Sequence, residues 1–375
     1  MKNKLKVLSI FGTRPEAIKM APLVLELEKC GEIQSEVCVT AQHRQMLDQV
    51  LDVFGITPKY DLDIMKERQT LAEITTNALN GISRVLKDER FDIVLVHGDT
   101  TTTFAGSLAA FYNNVKVGHV EAGLRTFDKL SPFPEEVNRR LTGVIADYHF
   151  APTETNRRNL INEGISEKNI YVTGNTVIDA LKTTVRDNYS FENEELRALC
   201  ESGQLSGRRA VLVTAHRREN LGAPLENICG AIKKLADAHS DLLFIYPVHL
   251  NPQVQETAQR ILGGTRNVRL IKPTSVTDLH NLMARCYFVM TDSGGLQEEA
   301  PSLGKPVLVL RTETERPEAV ESGTVRVVGV EEKKILEYAN LLLSNQSEYD
   351  KMAKAINPYG DGHASERIVK ALCKV

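Results

Sequence analysis

The chain has 375 residues, 42% apolar and 25% charged, ordinary values for a globular protein and a length better matched by two domains than by one core. A formal net charge of -3 provides no general basic field, which argues against nucleic acid as a partner and requires any bound anion to be held by local groups. No stretch approaches the ~20 consecutive apolar residues of a membrane span, and the six cysteines, at 30, 38, 200, 229, 286 and 373, have neither zinc-ligand nor paired spacing, so a soluble cytoplasmic protein with reduced thiols, no metal and no membrane partner is expected.

The opening MKNKLKVLSIF has a charged start, but its apolar run is too short for a leader and meets Arg14. The run KVLSIF ends in Gly12, Thr13, Arg14 and Pro15 and feeds a helix carrying Lys19. A dinucleotide-binding turn at this place needs three glycines. With one glycine, an arginine and a lysine, it reads as a turn that holds an anion through side chains. SEVCVTA, DIVLVHGD, VKVGHVEAG, DYHFAPT and IYVTGN follow, each succeeded by a helical stretch. After the polar segment NYSFENEELRALCESGQLSGRR the series restarts with AVLVTAHR, LLFIYPVH, VRLIKP, YFVMTDSGG and KPVLVLR.

Continuous Val, Ile and Leu runs alternating with helices predict parallel strands buried on both faces. Two such series predict an α/β protein with two Rossmann-like, doubly wound domains. The break falls between Gly174 and Arg208, and the domains are drawn as 1–175 and 176–361. Residues 362–375 form a capped amphipathic helix able to pack on either domain.

Ligands of open α/β sheets sit beyond the carboxyl ends of the strands. Those ends carry Arg14, Gln42, His43, Asp99, Glu121, His216, Arg217, His249, Asp292, Ser293 and Arg316, and facing rims would make one polar crevice. Plainer roles exist for several of them. Asp99 could cap the helix begun by Thr100 to Thr103. Glu121 directly follows a buried strand and needs a partner, for which Arg125 is at hand. Glu135 and Glu136 could be first-turn acids favoured by the helix dipole. His216 and His249 could be satisfied core histidines or part of a surface ion-pair cluster. TDSGGLQEEAPSLGKPVLVL is the strongest local signal. Ser293, Gly294 and Gly295 open a helix whose first amides suit a phosphate, and Glu298 or Glu299 is one turn away, within reach of ribose hydroxyls.

FGTRPEAIKMAP, TAQHRQMLDQVL, HGDTTTT, HVEAGLR, PEEVNRR, TGNTVIDAL, TAHRREN, YPVHLNP, TDSGGLQEEAPSLGKPVLVLR and TERPEA, in this order, resemble the non-hydrolysing UDP-N-acetylglucosamine 2-epimerases of bacteria, from about residue 6 to residue 367. The resemblance implies a two-domain glycosyltransferase-B architecture, a homodimer, a last helix returning to the first domain, and interconversion of UDP-GlcNAc and UDP-ManNAc without a bound cofactor. It places Asp99, Glu121 and Glu135 near the sugar, His216 beside the diphosphate, and Glu299 and Arg316 around the uridine. It also implies a second, activating UDP-GlcNAc pocket at positions matching Gln42, His43, Gln45, Arg68, Arg217 and His249. At KPTSVTDLHNLM many relatives carry a phenylalanine near Leu279 to stack on uracil, and leucine lacks the aromatic face.

The chemistry implied is demanding, because the C2 hydrogen is not next to a carbonyl. Breaking the anomeric C–O bond first, with UDP leaving, makes that hydrogen acidic enough for a carboxylate. Arg14 and Lys19, together with Ser293, Gly294 and Gly295, are expected to hold the departing charge. A glycal intermediate would be reprotonated from the other face as UDP re-adds. A hydrolysing epimerase, a glycosyltransferase of the same architecture and a UDP-GlcNAc sensor are the alternatives. The last two need no set of three carboxylates around the sugar.

Overall fold

A computed structural model of the protein describes residues 4–41, 44–66 and 68–374. The chain divides into two compact units, Met1–Thr183 with Tyr359–Val375, and Thr184–Pro358. Among the described residues, unit 1 contains β1 (Leu5–Phe11), β2 (Ile33–Val39), β3 (Tyr60–Asp61), β4 (Ile93–His97), β5 (Lys116–Val120), β6 (Tyr148–Ala151) and β7 (Ile170–Val172), in the spatial order β3-β2-β1-β4-β5-β6-β7. Unit 2 contains β8 (Arg209–Thr214), β9 (Leu242–Pro247), β10 (Val268–Ile271), β11 (Phe288–Thr291), β12 (Val307–Val309) and β13 (Val325–Val327), in the order β10-β9-β8-β11-β12-β13. The strands of both sheets pair in parallel, and both follow the 3-2-1-4-5-6 order of doubly wound nucleotide-binding sheets, the fold class expected from the sequence.

The central strands explain the continuous apolar runs. In β1, Val7 and Phe11 pack into the cluster on one face of the sheet while Leu8 and Ile10 pack into the cluster on the other. In β4, Ile93 and Leu95 are divided from Val94 and Val96 in the same way. A strand covered on both faces reads as a near-continuous apolar run. The sequence reading missed β3 and β13. Both are edge strands, of 2 and 3 residues, with a neighbour on one side only and no long apolar run.

Gly12 is required by packing. A Cβ there would lie 2.0 Å from Thr40 Oγ1 and 2.6 Å from Thr102 Oγ1, two hydroxyls hydrogen-bonded at 2.9 Å. Thr13 caps the Arg14–Lys29 helix in a capping box with Glu16. Glu16 Oε2 accepts the amides of Thr13 at 2.8 Å and Gly12 at 3.0 Å, and Oε1 accepts the hydroxyls of Thr100 at 2.6 Å and Thr103 at 3.2 Å. This buried carboxylate fills the amide cradle that a phosphate takes in a dinucleotide-binding turn. Burial pushes its pKa up, while the hydrogen bonds from Thr100, Gly12 and Thr13 oppose that rise.

A second close approach lies after β5. Gly123 has φ +91°, and a Cβ there would sit 2.3 Å from the carbonyl oxygen of Asn156. Gly123→Ala is therefore expected to cost roughly 2–4 kcal/mol, from left-handed strain and a backbone clash that no rotamer relieves. The check is a lower urea midpoint at unchanged slope.

The Ala364–Leu372 helix packs against the Arg14–Lys29 helix and adds Ile368, Val369 and Leu372 to the core of unit 1. Asp179 accepts the amides of Ala364 at 3.1 Å and Ser365 at 2.8 Å, and the Asn175 amide donates to Tyr359 O at 2.7 Å. These bonds keep the Thr176–Thr184 helix with unit 1. The units accordingly divide after Thr183 and Pro358, where the sequence suggested breaks after residues 175 and 361. No helix among the described residues is long and apolar enough to cross a membrane.

Candidate active site

The strand order of unit 1 reverses between β1 and β4, where doubly wound folds bind ligands. The helix after β4, Thr101–Tyr112, is capped by Thr100, whose Oγ1 accepts the Thr103 amide at 3.1 Å. Asp99 is thus not the cap. Its carboxylate pairs with Arg139, with Nε at 3.1 Å, and its carbonyl accepts Asn138 Nδ2 at 3.0 Å. Arg139 also donates to Glu136 at 3.0 Å. Glu136 is completely buried and accepts the Thr126 and Phe127 amides, each at 3.1 Å, which makes it a structural acid. Glu135 is half-buried on the first turn of the Glu135–Ile145 helix.

Glu121 follows β5 with φ +63°, a left-handed backbone that is costly for any residue with a Cβ. Its Oε1 accepts Lys19 Nζ and, at 2.8 Å, Asn175 Nδ2. Oε2 lies 3.9 Å from Nε2 of buried His97. Arg125 turns away and pairs with Glu163 at 2.8 and 2.6 Å, so it is not the partner the sequence suggested. Lys19, expected to face the diphosphate, is paired with Glu121. Arg14 is half-buried, and burial lowers its pKa. A partly desolvated guanidinium of this kind suits an incoming anion.

Three histidines lie behind this rim: His119 on β5 is in register with His149 on β6, while His97 on β4 is opposite Val120, one position further along. Burial holds their pKa values at about 4, 3 and 4, well below the usual imidazole range.

In unit 2 the order reverses between β8 and β11. His216 and Arg217 follow β8, and their amides donate to Asp292 Oδ2, each at 2.7 Å. The imidazole of His216 stacks on that of His249, with centroids 5.1 Å apart and planes 7° from parallel. Burial lowers the His216 pKa, Asp292 raises it, and His249 and Arg217 lower it further. At the Ser293–Gly294–Gly295 turn, a Cβ on Gly294 would lie 3.8 Å from an Arg217 nitrogen and 3.9 Å from an Arg316 nitrogen. Two guanidiniums therefore converge on this turn. Arg316 is also paired with buried Glu298. Of the two glutamates left open by the sequence, Glu298 is committed to that pair. Glu299 stays partly exposed, with Oε2 3.3 Å from His280 Nε2. Leu279 is half-buried in the Val276–Arg285 helix.

Gln42 and His43 lie outside the described residues, as does the side chain of Gln45. Arg68 is exposed, with φ +58°. Arg217 and His249 both touch the His216 and Gly294 region. Among the described residues, no three or more His, Cys, Asp or Glu group as a metal site.

Sequence reasoning overlooked Glu16, His97, Arg139 and Asn175, and left Asp292 without a role. Two signals were available, the Thr13-x-x-Glu16 capping pattern and the Glu136–Arg139 spacing of three. Asn175 and Asp292 reach partners 54 and 76 residues away, with no local signature.

The family model for UDP-N-acetylglucosamine 2-epimerase matches residues 25–373. A UDP-N-acetylglucosamine 2-epimerase of Bacillus subtilis (strain 168) is 60% identical over 370 residues, covering 99% of this chain and 95% of the relative. One from Escherichia coli (strain K12) is 54% identical over 371 residues, covering 98% of each. The crystal structure of UDP-GlcNAc 2-epimerase from Neisseria meningitidis bound to UDP-GlcNAc is similar with a TM-score of 0.87 and 51% identity, covering 99% of this chain and 100% of that one. With that coverage, and with both sheets in nucleotide-binding order, the chain belongs to the UDP-N-acetylglucosamine 2-epimerase family.

Proposed function

We propose that this protein interconverts UDP-N-acetylglucosamine and UDP-N-acetylmannosamine by eliminating UDP to a 2-acetamidoglucal and adding it back, without hydrolysis. The observation that carries this reading is the pair of carboxylates, Asp99 and Glu121, that follow neighbouring strands β4 and β5, each held by its own cation, Arg139 and Lys19. In the forward direction the C1–O bond breaks and its electron pair leaves with UDP. One carboxylate then takes the C2 proton. Re-addition of UDP with protonation of C2 from the opposite face gives the epimer, so two acid/base groups are required. Asp99 and Glu121 fill these roles, and Glu135 lies near the sugar. Arg14, His216, Arg316, Ser293, Gly294 and Gly295 hold the diphosphate and uridine, with Glu299 on the ribose and Leu279 beside the base. Lys19 acts through Glu121.

Proton NMR of UDP-GlcNAc incubated with the enzyme in deuterated water tests this. Deuterium at C2 with the nucleotide still attached is the expected result. Free N-acetylmannosamine would indicate hydrolysis, and an undisturbed C2 would indicate transfer or sensing.

UDP-GlcNAc also serves as activator at a site that includes Arg68, Arg217 and His249. The protein acts as a homodimer, a reading supported by the outward face of the Glu135–Ile145 helix, where Val137, Leu141 and Val144 are 37%, 42% and 80% exposed, and by Phe111 and Tyr112 at 62% and 64% on the Thr101–Tyr112 helix packed against it. Apolar residues repeating at helical spacing on an uncovered face mark a self-association surface. Val144→Glu is expected to shift the protein from dimer to monomer in analytical ultracentrifugation, with its circular dichroism unchanged.

A further inference from the structure

Asp292 has no part in the chemistry above, yet its surroundings single it out. It follows β11, is fully buried, and its two oxygens are treated differently. Oδ2 accepts three donors, the amides of His216 and Arg217, each at 2.7 Å, and Asn220 Nδ2 at 3.0 Å. Oδ1 has no hydrogen-bond partner among the described residues and lies 3.6 Å from His216 Nδ1. A buried carboxylate oxygen left unmatched is costly, and that imidazole is placed to match it. The ring is restrained from two other directions. His249 lies flat against its face, and Tyr246 pins the preceding residue by donating to Ala215 O at 2.5 Å.

We propose that Asp292 is a positioning residue for His216: its Oδ1 accepts Nδ1–H, which fixes the ring and supports the imidazolium while Nε2–H points to the departing diphosphate. This rests on the reading of the protein as an epimerase that expels UDP. As the C1–O bond breaks, both electrons pass to the diphosphate oxygen. The imidazolium stabilises that growing charge through a hydrogen bond, and no proton is transferred. The charged and titratable groups facing His216 are Asp292, His249 and Arg217. Burial first, and then His249 and Arg217, disfavour a cation there, and Asp292 favours it.

Asp292→Asn tests the assignment. The three donors on Oδ2 select the amide oxygen for that place, so the amide NH2 falls opposite His216 Nδ1 and demands the other tautomer. Long-range proton–nitrogen NMR of the substrate-free wild type is expected to show neutral His216 protonated on Nδ1. In Asp292→Asn the proton should sit on Nε2 and the ring should titrate at lower pH. Turnover should fall about 10- to 100-fold, the usual cost of removing a partner that orients a functional histidine, with KM for UDP-GlcNAc within about threefold and the alkaline limb of the kcat profile moved to lower pH. In a His216→Ala background, Asp292→Asn should add almost nothing. Nε2 protonation in the wild type overturns the proposal even if the variant does not fold. An unchanged tautomer in Asp292→Asn, or a full further loss in the His216→Ala background, also overturns it. Failure of the functional reading is distinguishable, since it appears as no C2 inversion by the wild type, whereas the tautomer is read without substrate.

Discussion

Replacing Glu121 with glutamine is expected to lower kcat by about 10²- to 10⁴-fold, the range for losing a general acid/base, and to abolish C2 deuterium incorporation while UDP still binds. The structure makes this a sharp test because glutamine preserves almost everything else. Its amide oxygen can replace Oε1 as acceptor for Lys19 and Asn175, and its length keeps the side chain beside His97. The left-handed backbone at Glu121 is equally accessible to both residues, so the local strain is unchanged. What is lost is charge and basicity, and with the charge the ion pair to Lys19. Arg139→Met would be a less clean probe of the other carboxylate, since it strips the partner from Asp99 and from fully buried Glu136 together, and removing one member of a buried pair destabilises. Single-turnover kinetics with UDP-GlcNAc, alongside UDP titration by calorimetry, provide the measurement. More than a tenth of wild-type kcat in Glu121→Gln would remove Glu121 from proton transfer.

Mild acid is expected to unfold unit 1 well before the usual carboxylate range is reached. His97, His119 and His149 titrate at about 4, 3 and 4 in the folded protein because burial disfavours their charged forms, whereas unfolded imidazoles titrate near ~6.5. A base whose folded pKa is depressed stabilises the protein fully above the unfolded value and loses that stabilisation as pH falls through the window. Each such proton is worth about 1.4 kcal/mol per pH unit, so three approach a slope of about 4 kcal/mol per pH unit near pH 5. Glu16 and Asp179 work the other way, since their raised pKa values favour the folded state as pH falls, but two groups do not offset three. Urea unfolding at pH 7, 6 and 5 measures the slope. His119→Gln, which retains a donor for Gly98 O, should reduce it by about one proton. A wild-type slope below one proton would contradict the prediction.

The architecture was legible because parallel strands covered on both faces leave continuous apolar runs, and the residues ending them, Asp99, Glu121, His216 and Ser293, stand where such sheets bind ligands. The pairing of those residues was not. Lys19 reads as an anion-binding lysine in the helix after β1, yet its counter-ion is 102 residues further on. Arg125 is near Glu121 in sequence but turns to Glu163. Asp99 sits where a cap is favoured, and Thr100 beside it takes that role. Local rules identify which residues lie at a turn, while the partner each one meets depends on the register of strands and helices far away in the chain.

The return of Tyr359–Val375 to unit 1 bears on how the protein is made. Unit 2 is one uninterrupted stretch, Thr184–Pro358, and can close as soon as it has left the ribosome. Unit 1 must wait with part of its apolar interior uncovered until Ile368 and Leu372 emerge to seal it, so the half translated first is the half completed last.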